Sequence, residues 1–175
     1  MKKTLIIALC CIIAVMAACK KDPVEPTPEP VDISELYVGD FLGNLTISVT
    51  GTLYDTLGNE IPVTTPMDFP IDNITMQIME GASDDVLNMS VTIDNETYEA
   101  PGTATKESAV FERVPLNLDK PGYIINGDIQ LIVFPTESDT LNLGGDFKGT
   151  GTASLFGATY DLDATGIING KLTKQ

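Results

Sequence analysis

Leu87-Asn88-Met89-Ser90-Val91-Thr92-Ile93 decides the fold. Apolar and polar residues alternate through it without a break. Laid out as an extended chain, it has one wholly apolar face and one wholly polar face. A period of two belongs to a half-buried strand, whereas a helix would repeat every 3.6 residues. The same period recurs on both sides. Upstream, Ile74, Met76 and Ile78 alternate with Thr75 and Gln77, and Leu45, Ile47 and Val49 with Thr46 and Ser48. Downstream, Val110, Val114, Leu116 and Leu118 form an apolar face interrupted by Glu112. Gly127, Ile129, Leu131 and Val133 form the next. Phe147, Gly149, Gly151, Ala153 and Leu155 form another, small in its middle. Tyr160, Leu162, Ala164 and Ile168 complete the series. No long stretch after residue 34 carries a helical period.

Turn chemistry separates these runs: Gly58-Asn59, Gly81-Ala82-Ser83, Pro101-Gly102 and Pro121-Gly122. Short connections make neighbouring strands antiparallel. The chain is therefore expected to be all-β, with about eight to ten strands. Strands with one apolar face must close into a barrel or stack as a β-sandwich. Glycines inside the strand patterns, at positions 39, 43, 149 and 151, permit bulges and sharp coiling, which favours a single up-and-down barrel. Two segments read as loops. Gly51–Met67 looks inserted, as an extra hairpin or a long loop, and Pro62, Pro66 and Pro70 make it a poor central strand. Glu96–Glu107 is the second.

The amino-terminal end speaks of location. Lys2 and Lys3 precede an apolar run from Leu5 to Val15, and Met16-Ala17-Ala18 leads into Cys19. This is the pattern of a secretory signal peptide, and the run is short of the roughly 20 residues a membrane span needs. A cysteine directly after small residues resembles the lipobox of bacterial lipoproteins. The resemblance implies cleavage before Cys19, diacylglycerol on its thiol and acylation of its new amino group. Cys19 is thus the expected lipid anchor, and the membrane the first expected partner. Lys20–Ile33 is a tether in which Pro23, Pro26, Pro28 and Pro30 favour polyproline II. It could span about 40 Å at roughly 3.1 Å per residue. Three parts follow: residues 1–18 signal, 19–33 lipidated cysteine and tether, 34–175 barrel. Lys20-Lys21-Asp22 loosely resembles the post-cysteine signals that send some Bacteroidota lipoproteins to the cell face. The acidic run that such signals carry is missing, so an outer-membrane location is expected with the outward face favoured and the periplasmic face the alternative.

Charge and composition narrow the chemistry. The chain has 10 basic and 25 acidic residues, a net charge of −15, and the leader carries away two of the basic ones. That balance repels polyanions and excludes nucleic acid as a partner. Cys10 and Cys11 leave with the signal, so no thiol remains for a disulfide, a metal or catalysis once Cys19 is acylated. The chain has no histidine, which removes Ser-His and Cys-His nucleophile pairs and the favoured zinc ligands. Paired carboxylates could still serve a hydrolase or isomerase, yet the inward faces are aliphatic. Asp84-Asp85 and Asp161-Leu162-Asp163 lack the ligand density of a calcium loop. The expectation is no enzyme, no metal and no cofactor.

The residues also suggest a family. Tyr37-Val38-Gly39-Asp40-Phe41-Leu42-Gly43-Asn44-Leu45, Ile125-Asn126-Gly127-Asp128-Ile129 and Gly166-Ile167-Ile168-Asn169-Gly170-Lys171-Leu172 resemble the calycin-like β-barrel domains of Bacteroidota lipoproteins. The resemblance implies an up-and-down barrel on a lipid anchor with no assigned activity. Gly39-Asp40-Phe41 stands where lipocalins carry Gly-x-Trp, and the chain has no tryptophan, so lipocalin transport is not implied. Asp55-Thr56-Leu57 and Asp139-Thr140-Leu141 resemble the sites at which Bacteroidota attach O-glycans, which makes Thr56 and Thr140 candidate glycosylation sites. The expected function is a binding or accessory module of the envelope. Its ligand would be a small apolar molecule, a glycan or a protein partner. A carboxylate enzyme or a purely structural envelope protein is the alternative.

Overall fold

The structure, a computed structural model, describes residues 32–136 and 138–175. The signal, Cys19 and the tether as far as Val31 lie outside the described residues. Ser34–Leu36 forms a 3-10 helix, where the sequence suggested a strand period. Nine strands follow: β1 (Gly39–Tyr54), β2 (Glu60–Glu80), β3 (Val86–Ile93), β4 (Glu96–Ala104), β5 (Ala109–Phe111), β6 (Val114–Lys120), β7 (Tyr123–Pro135), β8 (Thr140–Leu155) and β9 (Ala158–Lys174). All pairings are antiparallel and join one sheet in the order β5-β4-β3-β2-β1-β9-β8-β7-β6. A further pairing of β5 with β7 closes the ring. The fold is a single antiparallel up-and-down β-barrel, not a sandwich.

β5 and β6 act as one bent strand. Ala109 and Val110 face Val133 and Ile132 of β7, and the ladder resumes at Val114↔Ile129. One extra residue has been inserted on the β5–β6 side, a bulge at Glu112-Arg113. The bulge shifts the parity. Ala109 and Phe111 point inward before it, and Val114, Leu116 and Leu118 after it. Val110 is half-buried on the outside, so it does not share the inner face expected for it. Glu112 interrupts the apolar pattern because it is exposed on the bulge.

Of the two segments set apart in the sequence, the first is a hairpin and not a long loop, and the second, read as a loop, is a strand. Gly51–Met67 is largely strand: β1 runs to Tyr54 and β2 begins at Glu60, joined by a short turn. The prolines are tolerated because this part of β2 pairs with β1 alone. Glu96–Ala104 is β4, and Pro101-Gly102 lies within it, opposite Asn88 and Leu87. The turn sits earlier, at Asp94-Asn95, both at positive φ (51° and 67°). That is the left-handed pair a two-residue hairpin requires, and Asp and Asn tolerate it best after glycine.

The inward residues make one core cluster. Tyr37 seals the end where the described chain enters. Its side chain has no accessible surface, and its hydroxyl donates to the Thr105 carbonyl at 2.8 Å. Burial pushes its phenol up from the ordinary 10 to about 12. Only the neutral phenol fits the site, so its stabilisation is complete below pH 10 and lost as pH rises through 12. Tyr37→Phe should cost about 1 kcal/mol near pH 8, a melting point lower by about 2–4 °C. The gap between the two proteins should close between pH 10 and 12. Melting curves that keep a constant gap across that range would rule the account out.

Candidate functional site

A catalytic site would need carboxylates held in the barrel. Among the described residues none is buried: Asp55 and Asp146 are half-exposed and the rest lie in solvent. Asp84, Asp85, Asp161 and Asp163 are all exposed. No group of acids among the described residues could hold a metal ion. Asp146 pairs with Arg113 beside the bulge, on the outer surface. Besides Tyr37, the buried polar residue among the described residues is Ser34, whose hydroxyl bonds Asp32 at 2.8 Å and Glu80 at 3.3 Å. These contacts fasten the 3-10 helix.

The interior is also occupied where the sequence left room. Gly127 and Gly149 face each other across β7 and β8. A Cβ at Gly127 would lie 2.7 Å from the Phe147 ring, and one at Gly149 2.8 Å from it. The hollow left by two missing side chains is filled by Phe147, which is wholly buried. The small face is therefore the seat of an aromatic ring at Gly149, while Gly151 lies against the backbone of Ile124 and Ile125.

What remains is the outer surface at the end opposite Tyr37. Four hairpin turns lie there: Asp94-Asn95, and a group of three, Asp55–Asn59, Pro121-Gly122 and Phe156-Gly157. Backbone pairing sets these three side by side, since Tyr54 faces Asp161 and the Ser154 amide bonds the Gly122 carbonyl at 2.7 Å. Two carry bare apolar side chains. Phe156 is fully exposed and Leu57 is 85% exposed. Phe156 and Gly157 take φ of 52° and 82°. A left-handed conformation costs a bulky residue roughly 1–2 kcal/mol. Phe156 thus combines strain with complete exposure, and such outliers point toward function. Acids flank both tips: Asp55, Glu60 and Asp161. Asp55 accepts from the backbone of Leu57 and Asn59 at 2.8 Å each, and these bonds, with the Asn59 side chain foremost, lower its pKa.

The sequence reading missed Phe156. Its signal was a change of parity: Leu155 faces in on one strand and Tyr160 on the next, with Gly157 between them. Thr56 is exposed on the Leu57 turn. Thr140 is the first residue of β8 rather than a loop residue, at the opposite end of the barrel. It is half-buried, and its hydroxyl lies 2.8 Å from Thr136 Oγ1 and 2.9 Å from Ser138 Oγ. The structure does not bring the two threonines together. Compared with known proteins, the chain matches no protein-family model and no curated sequence.

Proposed function

We propose that the chain is a non-enzymatic lipoprotein of the bacterial outer membrane, held through lipidated Cys19. Its calycin-like barrel serves as a binding or accessory module for a protein partner, on the outward side of the membrane. The observation that carries the reading is a filled interior together with bare apolar hairpin tips. A carrier of apolar molecules would need the space that Phe147 occupies. A carboxylate enzyme would need acids facing inward. An exposed apolar patch set among acids suits a protein surface best. The tips lie at the end of the barrel opposite Tyr37.

The anchor is tested by metabolic labelling with an alkyne analogue of palmitate. The parent should label, and Cys19→Ala should lose the label and accumulate as precursor or soluble protein. Equal labelling of the two would remove the lipoprotein reading.

A further inference from the structure

The barrel wall is incomplete at the end that carries the tips. The β2–β3 ladder starts at Thr75, so the earlier part of β2 pairs with β1 only. β4 meets β5 from Gly102 onward, and the last backbone bond on that side runs from the Glu112 amide to the Pro101 carbonyl at 2.9 Å. Beyond it, β6 pairs with β7 alone. Between β6 and β2 lies a cleft of about 190 Å³, lined by Phe69, Ile71, Asp94, Asn117, Leu118 and Lys120 among others.

The register tells what the edge of β6 offers. Pro121-Gly122 is a two-residue turn, closed by Lys120↔Tyr123. The closing pair of such a turn exchanges hydrogen bonds, so even-numbered residues of β6 bond β7. Odd-numbered residues direct their backbone groups toward the cleft. Pro115 agrees, because a proline fits an edge strand only where its nitrogen faces away from the ladder. The amides of Asn117 and Asp119 and the carbonyls of Pro115, Asn117 and Asp119 therefore form an unpaired edge.

The cleft already holds a cation. Lys120 Nζ reaches across it, donates to the Asp68 carbonyl at 3.0 Å and stands 5.5 Å from the centre of the Phe69 ring. A strand-edge carbonyl and an aromatic face receive the ammonium together. Asp94 and Asp119 line the same cleft, and the exposed Asp68 and Asp72 stand beside it on β2.

We propose that this cleft is a docking site for an extended, basic segment of a protein partner, which adds as a strand to the free edge of β6. Strand addition draws affinity from backbone bonds, and alternate side chains supply the selection. Here the acids select lysine or arginine. A second copy of this chain is a poor occupant, since each copy would bring the same acids to the seam. The inference rests on the reading of the barrel as a protein-binding module.

The test uses the full chain purified in detergent and a fluorescent seven-residue peptide of alternating Lys and Val. Fluorescence anisotropy should show saturable binding. A peptide of the same sequence with alternate amides N-methylated should bind about tenfold more weakly or worse, having lost its backbone donors. Asn117→Pro should do the same while melting as a folded protein, because its nitrogen faces the cleft as that of Pro115 does. Asp94→Lys with Asp119→Lys should also abolish binding. No binding by the parent, or equal binding of the N-methylated peptide, overturns strand addition. Dimers in sedimentation that Asn117→Pro dissolves would overturn it in favour of a second copy. A photo-crosslinking residue at 156 in intact cells separates the two readings. A discrete protein adduct there, with no peptide binding, leaves the module and removes the seam; failure of both removes the module as well.

Discussion

Leu131→Asp is expected to leave no cooperatively folded domain. Leu131 is 1% exposed on β7, opposite Gly145 and inside the core. A carboxylate there would be buried without a partner. The effective penalty is several kcal/mol, against a total stability of roughly 5–15 kcal/mol for a domain of ordinary size. Gln130 is the paired control. It faces outward and half-exposed, opposite Asp146. Gln130→Asp sets like charges across one strand pair, which costs about 0.2–1 kcal/mol. It should melt within a few degrees of the parent. Circular dichroism melts of the two variants check the result. If Leu131→Asp melts near the parent, the inward assignment of β7 is wrong, and with it the register that follows from it.

Phe147→Ala should produce the second-largest effect. Truncating a buried phenylalanine costs about 3–5 kcal/mol, on the order of 10 °C in melting point for a domain of this size. The site has little means to collapse, because the residues beneath the ring are Gly127 and Gly149. A dry apolar cavity should remain, and benzene should raise the melting point of the variant by binding in it. The parent should gain nothing from benzene. A parent that benzene stabilises as much as the variant would mean a hollow barrel, and would return an apolar ligand to the leading place.

The strands were legible because each carries its own evidence. Leu87–Ile93 alternates within seven residues, and a slip of one would expose its whole apolar set. The bulge at Glu112-Arg113 was visible only as an unexplained acid. Its meaning depends on β7, the strand against which the extra residue is counted. β4 was read as a loop because Pro101-Gly102 usually punctuates a turn. It is a strand because β3 supplies a partner along its whole length. The turn closed by Ile93↔Glu96 makes even-numbered residues bond β3, so the nitrogen of Pro101 faces the other edge, just before the β5 ladder begins at Gly102. Phe156 looked like one more apolar residue after Leu155. Only the change of parity between Leu155 and Tyr160, across Gly157, marks it as a turn residue whose side chain leaves the barrel.

The residues in their order determined the all-β class, the antiparallel neighbours, the inward set on most strands and the absence of histidine chemistry. Those are matters of short-range period, turn chemistry and composition. Tertiary structure alone decided that the ring closes through β5 and β7, that Phe147 fills the glycine hollow, and that β2, β4 and β6 leave a seam. Each depends on which strands become neighbours around the ring and on how far each pairing extends. Segments far apart in the chain settle these together, through the backbone bonds and the volume they share, and no single stretch carries them.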